Sequence, residues 1–366
     1  MHKLKLLFVG AGAITKMHLR VLETWQDGET VEVLATDLKS EALDELRAAR
    51  PAARTFDNID DMLAEPVTDG DIVVVATPPV AHFEAAMKAL ASGRHVLCEK
   101  PLAMTTDEAR QMNDAAKSAG RLLGCCSNRL LGRGLAAFSD RFGSGLIDKP
   151  YRVRWQARRQ RRRSGIEYQP ESRWFLKSAI SGGGVLMDWG PYDITTMCNL
   201  FRPQRVEVVS SIVEQPKLGG EAMPDFEPDV EFHVIATLRF HRDDGSMFDV
   251  HYERASATHG EEAMHFEVEG VDGAARIDWL PRPEGARGYV HVWDDDGKRQ
   301  SQEHYLVDEP ADIMQRPLLE MRKAVDGKPA MISLGDEAIF NFAVIRAIYD
   351  AAESGESVVV EREVTS

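Results

Sequence analysis

Short apolar runs alternate with amphipathic stretches through the first third of the chain. Leu4–Val9 is mostly apolar and is cut off by Gly10, which reads as a buried strand. Ala13–Trp25 then places Ile14, Met17, Val21 and Leu22 on one helical face. Val31–Thr36 reads as a second strand, Ser40–Arg50 as a helix stopped by Pro51, and Ile59–Leu63 as a short helical piece. Asp71–Ala76 is almost continuously β-branched, as a strand covered on both faces should be. Helix Val80–Ala91 precedes Gly93, strand His95–Glu99 follows, helix Thr106–Ala119 ends at Gly120, and Leu122–Ser127 is a further strand. This rhythm predicts a parallel sheet with helices on both faces and right-handed crossovers.

After about residue 128 the texture changes. Tyr151–Gln156, Arg205–Val213, Val230–His241, Ser246–Glu253, His265–Gly270, Ala274–Leu280 and Tyr289–Asp294 read as strands with little helix between them. A mostly antiparallel sheet is expected, with a long loop at Gln215–Pro228. Helical spacing returns at Ala311–Ala324 and Asp336–Glu353. The fold class is therefore α/β: a Rossmann dinucleotide-binding domain over residues 1–127 and an α+β domain with a large open sheet over 128–366. The helix at about 336–353 is expected to pack back on the first domain.

Composition narrows the function classes. A formal charge of −15 disfavours nucleic acid and anionic membrane surfaces as partners. No apolar run approaches the ~20 residues that cross a bilayer. Leu4–Val9 imitates a short signal peptide but runs straight into Gly10. The cysteines form no CxxC pair, and Cys125 and Cys126 are adjacent, so reduced thiols and a cytoplasmic location are expected. The histidines show no ligand spacing for a metal, and no GxSxG elbow points to a nucleophilic hydrolase.

Gly10-Ala11-Gly12-Ala13-Ile14-Thr15 joins the first strand to the first helix. Gly10 permits a tight turn, Gly12 lets backbone approach a pyrophosphate, and Ala13 and Ile14 open the helix that favours its charge. Thr15 stands where Gly or Ala is usual and should crowd helix–strand packing. Asp37 closes the second strand, where a carboxylate binds ribose hydroxyls and repels a 2′-phosphate. NAD is therefore expected, with NADP as the alternative should Asp37 turn away and Lys39 hold a phosphate. Ala76-Thr77-Pro78-Pro79 and His82 follow the third predicted strand, again at the carboxyl edge of the sheet, so Thr77, Pro78 and His82 are candidate cofactor contacts. Glu99-Lys100-Pro101 ends the next strand at that edge and adds Glu99 and Lys100 to them; the proline keeps Lys100 out of the α region.

With these motifs the chain resembles the Gfo/Idh/MocA family, the glucose–fructose oxidoreductase and inositol dehydrogenase-like oxidoreductases. The resemblance runs from the glycine turn through Glu99-Lys100-Pro101 to Gly182-Gly183-Gly184-Val185-Leu186-Met187-Asp188-Trp189-Gly190-Pro191-Tyr192. It implies a Rossmann domain followed by an open-sheet domain that often builds a dimer interface, hence a homodimer or homotetramer. It implies that Lys100 is catalytic, with a peptide bond into Pro101 that is often cis. The family aspartate falls on Asp188. The family histidine falls on Tyr192, a departure shared with some relatives, and the later aspartate falls on Thr195, with Asp193 as a substitute. Arg129, Arg173 and Trp174 match regions that contact substrate.

The implied reaction moves a hydride between nicotinamide and a carbinol or carbonyl carbon of a small polyhydroxy substrate: a sugar, polyol, sugar acid or related diol. Tyr192 would take the hydroxyl proton, Lys100 would stabilise the alkoxide and favour the phenolate, and Asp188 would orient the hydroxyl. A redox-cycling glycosidase and a noncatalytic ligand sensor on the same fold are the alternatives. The basic run Arg158–Arg163 reads either as pairing with acidic neighbours or as recognition of a carboxylate or phosphate.

Overall fold

The computed structural model describes residues 3–23, 30–127, 138–139, 149–160, 170–216, 227–278, 287–294, 297–306 and 310–363. It divides into two compact units, Met1–Asn128 with Glu309–Ile339, and Arg129–Asp308 with Phe340–Ser366.

The first unit holds strands β1 (Lys3–Val9), β2 (Thr30–Thr36), β3 (Arg54–Phe56), β4 (Ile72–Val75), β5 (His95–Cys98) and β6 (Leu123–Cys125), with β15 (Ser333–Leu334) joining late in the chain. Their order is β15-β6-β5-β4-β1-β2-β3, parallel except where β15 meets β6. This is the doubly wound order, reversing direction between β1 and β4. Helices α1 (Ala13–Leu19), α2 (Ser40–Ala49), α3 (Ile59–Leu63), α4 (His82–Ala91) and α5 (Thr106–Ala119) connect the strands. Every residue of β4 is buried, which its unbroken Ile-Val-Val-Val run requires. α5 begins with a capping box between Thr105 and Glu108 and ends at Gly120, whose φ of 62° suits glycine. Gly10, Asp37, Ala76 and Glu99-Lys100 follow β1, β2, β4 and β5, so all the candidate cofactor residues leave the sheet at one edge.

The second unit is built on a nine-stranded sheet. Its strands are β7 (Pro150–Arg158), β8 (Arg205–Glu214), β9 (His233–His241), β10 (Met247–Ala255), β11 (Ala263–Gly270), β12 (Gly273–Asp278), β13 (Arg287–Asp294), β14 (Arg299–Leu306) and β16 (Val358–Glu361). The order is β14-β13-β12-β11-β7-β10-β9-β8-β16, antiparallel except for β7 with β10. α6 (Ser178–Ser181) and α7 (Val185–Phe201) precede β8. Phe201 packs edge-on against Phe240, Phe248 and Phe266, joining α7 to the inner face of the sheet.

Two helices close the chain, α8 (Pro310–Val325) and α9 (Gly335–Ser354). α8 and the start of α9, through Ile339, belong to the first unit. Leu318 and Met321 are fully buried beside Leu4, Leu6 and Ile332 in that core. From Phe340 onward α9 belongs to the second unit, where Tyr349 donates a hydrogen bond to Glu231. β3, β14, β15 and β16 escape the sequence pattern. β3 and β15 are too short to show a period, and β14 (Arg-Gln-Ser-Gln-Glu-His-Tyr-Leu) is a polar edge strand. Among the described residues, no helix is long and apolar enough to cross a membrane.

Met321→Ala should lower unfolding free energy by about 2–5 kcal/mol, measured by urea denaturation. A loss below ~1 kcal/mol would place α8 outside the first core.

Candidate cofactor and active site

The glycine turn is shaped by what its missing side chains allow. Gly10 has a φ of 100°, and a Cβ there would lie 2.6 Å from the carbonyl oxygen of Ala76. Only glycine lets the turn after β1 meet the loop after β4. Gly12 differs: a Cβ there would meet nothing within 4 Å. Its open face, next to a helix start with no side-chain cap at Ala13 and Ile14, leaves room for a ligand and amides to bind it. Thr15 does not crowd the packing as expected. It is fully buried, and its hydroxyl donates to the Gly10 carbonyl at 2.7 Å, tying helix to turn.

Asp37 is oriented by backbone. Its carboxylate accepts from Ala11 N–H at 2.6 Å and from Lys39 N–H at 2.8 Å. The acidic group is thus held against the glycine turn, in the place from which a ribose hydroxyl could be bound. In the loop after β4, the Thr77 hydroxyl is buried without a hydrogen-bond partner among the described residues. An orphaned hydroxyl, an open glycine and an uncapped helix start fit the expected dinucleotide.

His82 has a different surrounding from that of a ligand contact. It is fully buried, with Nδ1 2.8 Å from the Pro101 carbonyl and Nε2 2.9 Å from the Thr77 carbonyl. Burial lowers its pKa. It joins the loop after β4 to the loop after β5, holding Thr77 and Pro78 in place.

Glu99 is also buried. One carboxylate oxygen lies 2.7 Å from His18 Nε2, and the other accepts the Lys100 backbone N–H at 3.2 Å. Burial acts to raise the Glu99 pKa, but the hydrogen bond and charge of His18 and the charge of Lys100 outweigh it and hold the carboxyl below its usual value. Lys100 is half-buried, and its peptide bond to Pro101 is cis. Sequence reasoning missed His18, although a histidine three residues after Thr15 on the buried side of α1 is a readable signal.

In the second unit, Asp188 and Tyr192 lie one turn apart on α7, both buried. Two of the three glycines before them serve close packing. A Cβ at Gly183 would lie 2.3 Å from the Tyr349 hydroxyl, and one at Gly184 would lie 1.9 Å from the Glu231 carbonyl oxygen. The Glu231 carboxylate accepts from Gly184 N–H at 2.6 Å, Leu186 N–H at 2.9 Å and the Tyr349 hydroxyl at 2.8 Å. A remote acid therefore caps the helix that carries Asp188 and Tyr192. Burial raises the Glu231 pKa, against the pull of those hydrogen bonds.

Asp193 does not serve as the substitute for the later family aspartate. It is buried, accepts from the Tyr252 hydroxyl at 3.0 Å and pairs with Arg254, whose Nε lies 2.8 Å away. Arg254 also lies 5.5 Å from the ring centre of Trp189, so it anchors α7 to β10 twice. Its signal was available: Arg254 shares the inward alternation of Phe248, Val250 and Tyr252. Arg173 is exposed, and Trp174 is half-buried and stacked on Phe175 with ring centres 3.8 Å apart. Arg129 lies outside the described residues, as do positions 161–163 of the basic run. Arg158 and Arg159 face acidic partners, Glu253 and Glu262, each at 3.4 Å.

Residues 4–126 match an oxidoreductase family with an NAD-binding Rossmann fold, Gfo/Idh/MocA, and residues 137–276 match the C-terminal domain of the same family. The chain is 26% identical to a 1,5-anhydro-D-fructose reductase of Ensifer adhaerens, over 91% of this chain and 92% of the relative. It is 25% identical to a D-glucoside 3-dehydrogenase of Escherichia coli (strain K12), over 97% of each. Among solved structures it is similar to GenD2 from gentamicin A biosynthesis in complex with NAD, with a TM-score of 0.75, 25% identity, and coverage of 99% of this chain and 97% of that one.

The two glycines of the turn should respond in opposite ways. Gly12→Val should keep its unfolding free energy within ~1 kcal/mol yet weaken NADH binding at least ~10-fold in a fluorescence titration. Gly10→Ala should lose ~1–3 kcal/mol or more from the forced overlap with Ala76. Wild-type NADH affinity in Gly12→Val would remove the turn from the cofactor site.

Proposed function

The chain belongs to the Gfo/Idh/MocA family of oxidoreductases, and on that premise we propose that it interconverts a carbinol and a carbonyl on a sugar or related polyol, using NAD. The observation that carries this reading is the set of groups at one sheet edge: the open face of Gly12, the Thr77 hydroxyl with no partner among the described residues, the oriented Asp37 carboxylate, and Lys100. NAD supplies hydride acceptance or donation at its nicotinamide ring. Gly10, Gly12, Ala13 and Ile14 hold its pyrophosphate, and Asp37 binds the ribose hydroxyls and sets preference over NADP. Thr77 and Pro78 border the cofactor from the loop after β4, which His82 and Glu99 support from behind.

Lys100 stabilises negative charge on the substrate oxygen. Tyr192 takes the hydroxyl proton in oxidation and returns it in reduction, and Asp188 orients that hydroxyl. Arg129, Arg173 and Trp174 contribute to substrate recognition. The named activities of the Ensifer adhaerens and Escherichia coli relatives support a sugar as the substrate class. The reading extends to a homodimer or homotetramer, supported by Ile212, Ile235, Met247 and Val359, which are exposed on strands of the nine-stranded sheet. It also extends to a cytoplasmic location, supported by buried free thiols at Cys98, Cys125, Cys126 and Cys198.

NAD and NADP tested separately against 1,5-anhydro sugars, glucosides, inositols, sugar acids and dihydrodiols should give NADH absorbance with at least one sugar or polyol, and more with NAD. Cofactor binding without turnover across that panel would favour a ligand sensor. Lys100→Met should reduce turnover by at least ~10²-fold, and near-wild-type turnover would reject its role. Oxidation should accelerate toward alkaline pH; a flat profile from about pH 6 to 10 would remove Tyr192 as the base.

A further inference from the structure

The buried Glu99 carboxylate is an unusual choice for a strand end. An ionised group out of water needs compensation, and an apolar pair at positions 18 and 99 would meet no such demand. The compensation comes from α1, the helix that starts at the Gly12 turn. His18 Nε2 lies 2.7 Å from one Glu99 oxygen, while the second oxygen takes the Lys100 N–H at 3.2 Å. His18 Nδ1 is buried with no hydrogen-bond partner among the described residues, so Nε2 carries the ring's contact. One helical turn separates Ile14, at the cofactor turn, from His18.

Resting on the reading of Lys100 as the catalytic lysine, we propose that His18 is a positioning residue: it fixes the Glu99 carboxylate, which in turn fixes Lys100, and so links the cofactor turn to the reacting group through α1. Cys126 Sγ lies within 4.8 Å of the His18 and Glu99 ligand atoms. A metal at this trio is disfavoured, because the direct His18–Glu99 hydrogen bond occupies the atoms it would need and burial pushes the Cys126 thiol far up.

The groups facing Glu99 are His18 from α1, His82 from α4, Cys125 at the end of β6 with Cys126 just after it, and Cys98 and Lys100 of its own segment. Burial keeps the three thiols neutral, with Cys125 pushed up to about 12, and lowers His82. Balance of the Glu99 charge therefore falls to His18 and Lys100. Without His18, burial acts unopposed on one side, and the carboxyl protonates at a higher pH than in the wild type.

The test compares His18→Leu, His18→Gln and Lys100→Met by turnover against pH, NADH affinity and thermal unfolding. In the cofactor-free proteins it adds the rate at which an amine-selective acylating reagent labels Lys100, followed by peptide mass spectrometry. His18→Leu should lose ~10- to 10²-fold in turnover, with its acidic limb moved to higher pH and Lys100 labelled faster at neutral pH. His18→Gln, whose amide donates the same hydrogen bond, should recover most of each. Wild-type turnover, limb and labelling in His18→Leu would overturn the proposal, and so would equal losses in both variants with an unmoved limb. Should His18→Leu fail to fold, Glu99→Gln replaces it: turnover falls and the acidic limb, left to Tyr192, departs from its wild-type position, whereas wild-type turnover with an unmoved limb overturns the proposal. Full turnover in Lys100→Met rejects the catalytic reading alone, because the labelling experiment still judges the positioning of Lys100.

Discussion

The cofactor edge depends on a close approach of two backbones. β1 and β4 are paired at the centre of the first sheet, and the chain leaving each must pass the other at once. Gly10 N–H is committed to Thr36, and the space its Cβ would fill is occupied by the Ala76 carbonyl. From that contact the neighbouring features follow. Thr15 locks the turn from below, Asp37 is drawn in by Ala11 N–H, and Gly12 is left facing outward. The loop after β4 is then braced by His82 against the loop after β5, where Lys100 begins. Backbone carbonyls and amides, rather than long side chains, set the shape of the edge, and such groups have little freedom to drift.

The second unit solves a related problem by different means. α7 carries Asp188 and Tyr192, the residues proposed for catalysis, yet Gly184 offers its start no side-chain cap. Glu231 supplies the cap from a distant segment, and Tyr349 supports that carboxylate in turn. Further along α7, the buried Asp193–Arg254 pair with Tyr252 holds the helix to β10. Breaking one partner of such a pair leaves an uncompensated charge, so these contacts resist substitution. Both units therefore hold their proposed catalytic side chains through buried carboxylates: Glu99 in one, Glu231 and Asp193 in the other.

Much of this was readable in the chain. Strand and helix order, the change to an antiparallel sheet, the glycine turn, the acidic end of β2 and the lysine after β5 all rest on local signals spaced by helix or strand periods. The readings that changed were those that turned on which contact a side chain finds once the chain is folded. Thr15 was expected to crowd, but its hydroxyl finds Gly10 across one turn. Asp193 was a candidate for the site, but Arg254 takes it. The helix at 336–353 was expected to return to the first domain; its start, through Ile339, belongs to the first unit, and α8 joins it there with Leu318 and Met321 buried in the core.

Sequence alone determined the two-part organisation, the parallel sheet of the first part, and the candidates now proposed to serve a dinucleotide and a carbinol. Those properties follow from period, turn chemistry and residue type within short windows. Only the tertiary structure decided what each polar group is joined to: His18 to Glu99, Glu231 to the start of α7, His82 to two loop carbonyls. Buried polar groups must find partners, and which partner is within reach is settled by the packing of distant segments, which no local pattern records.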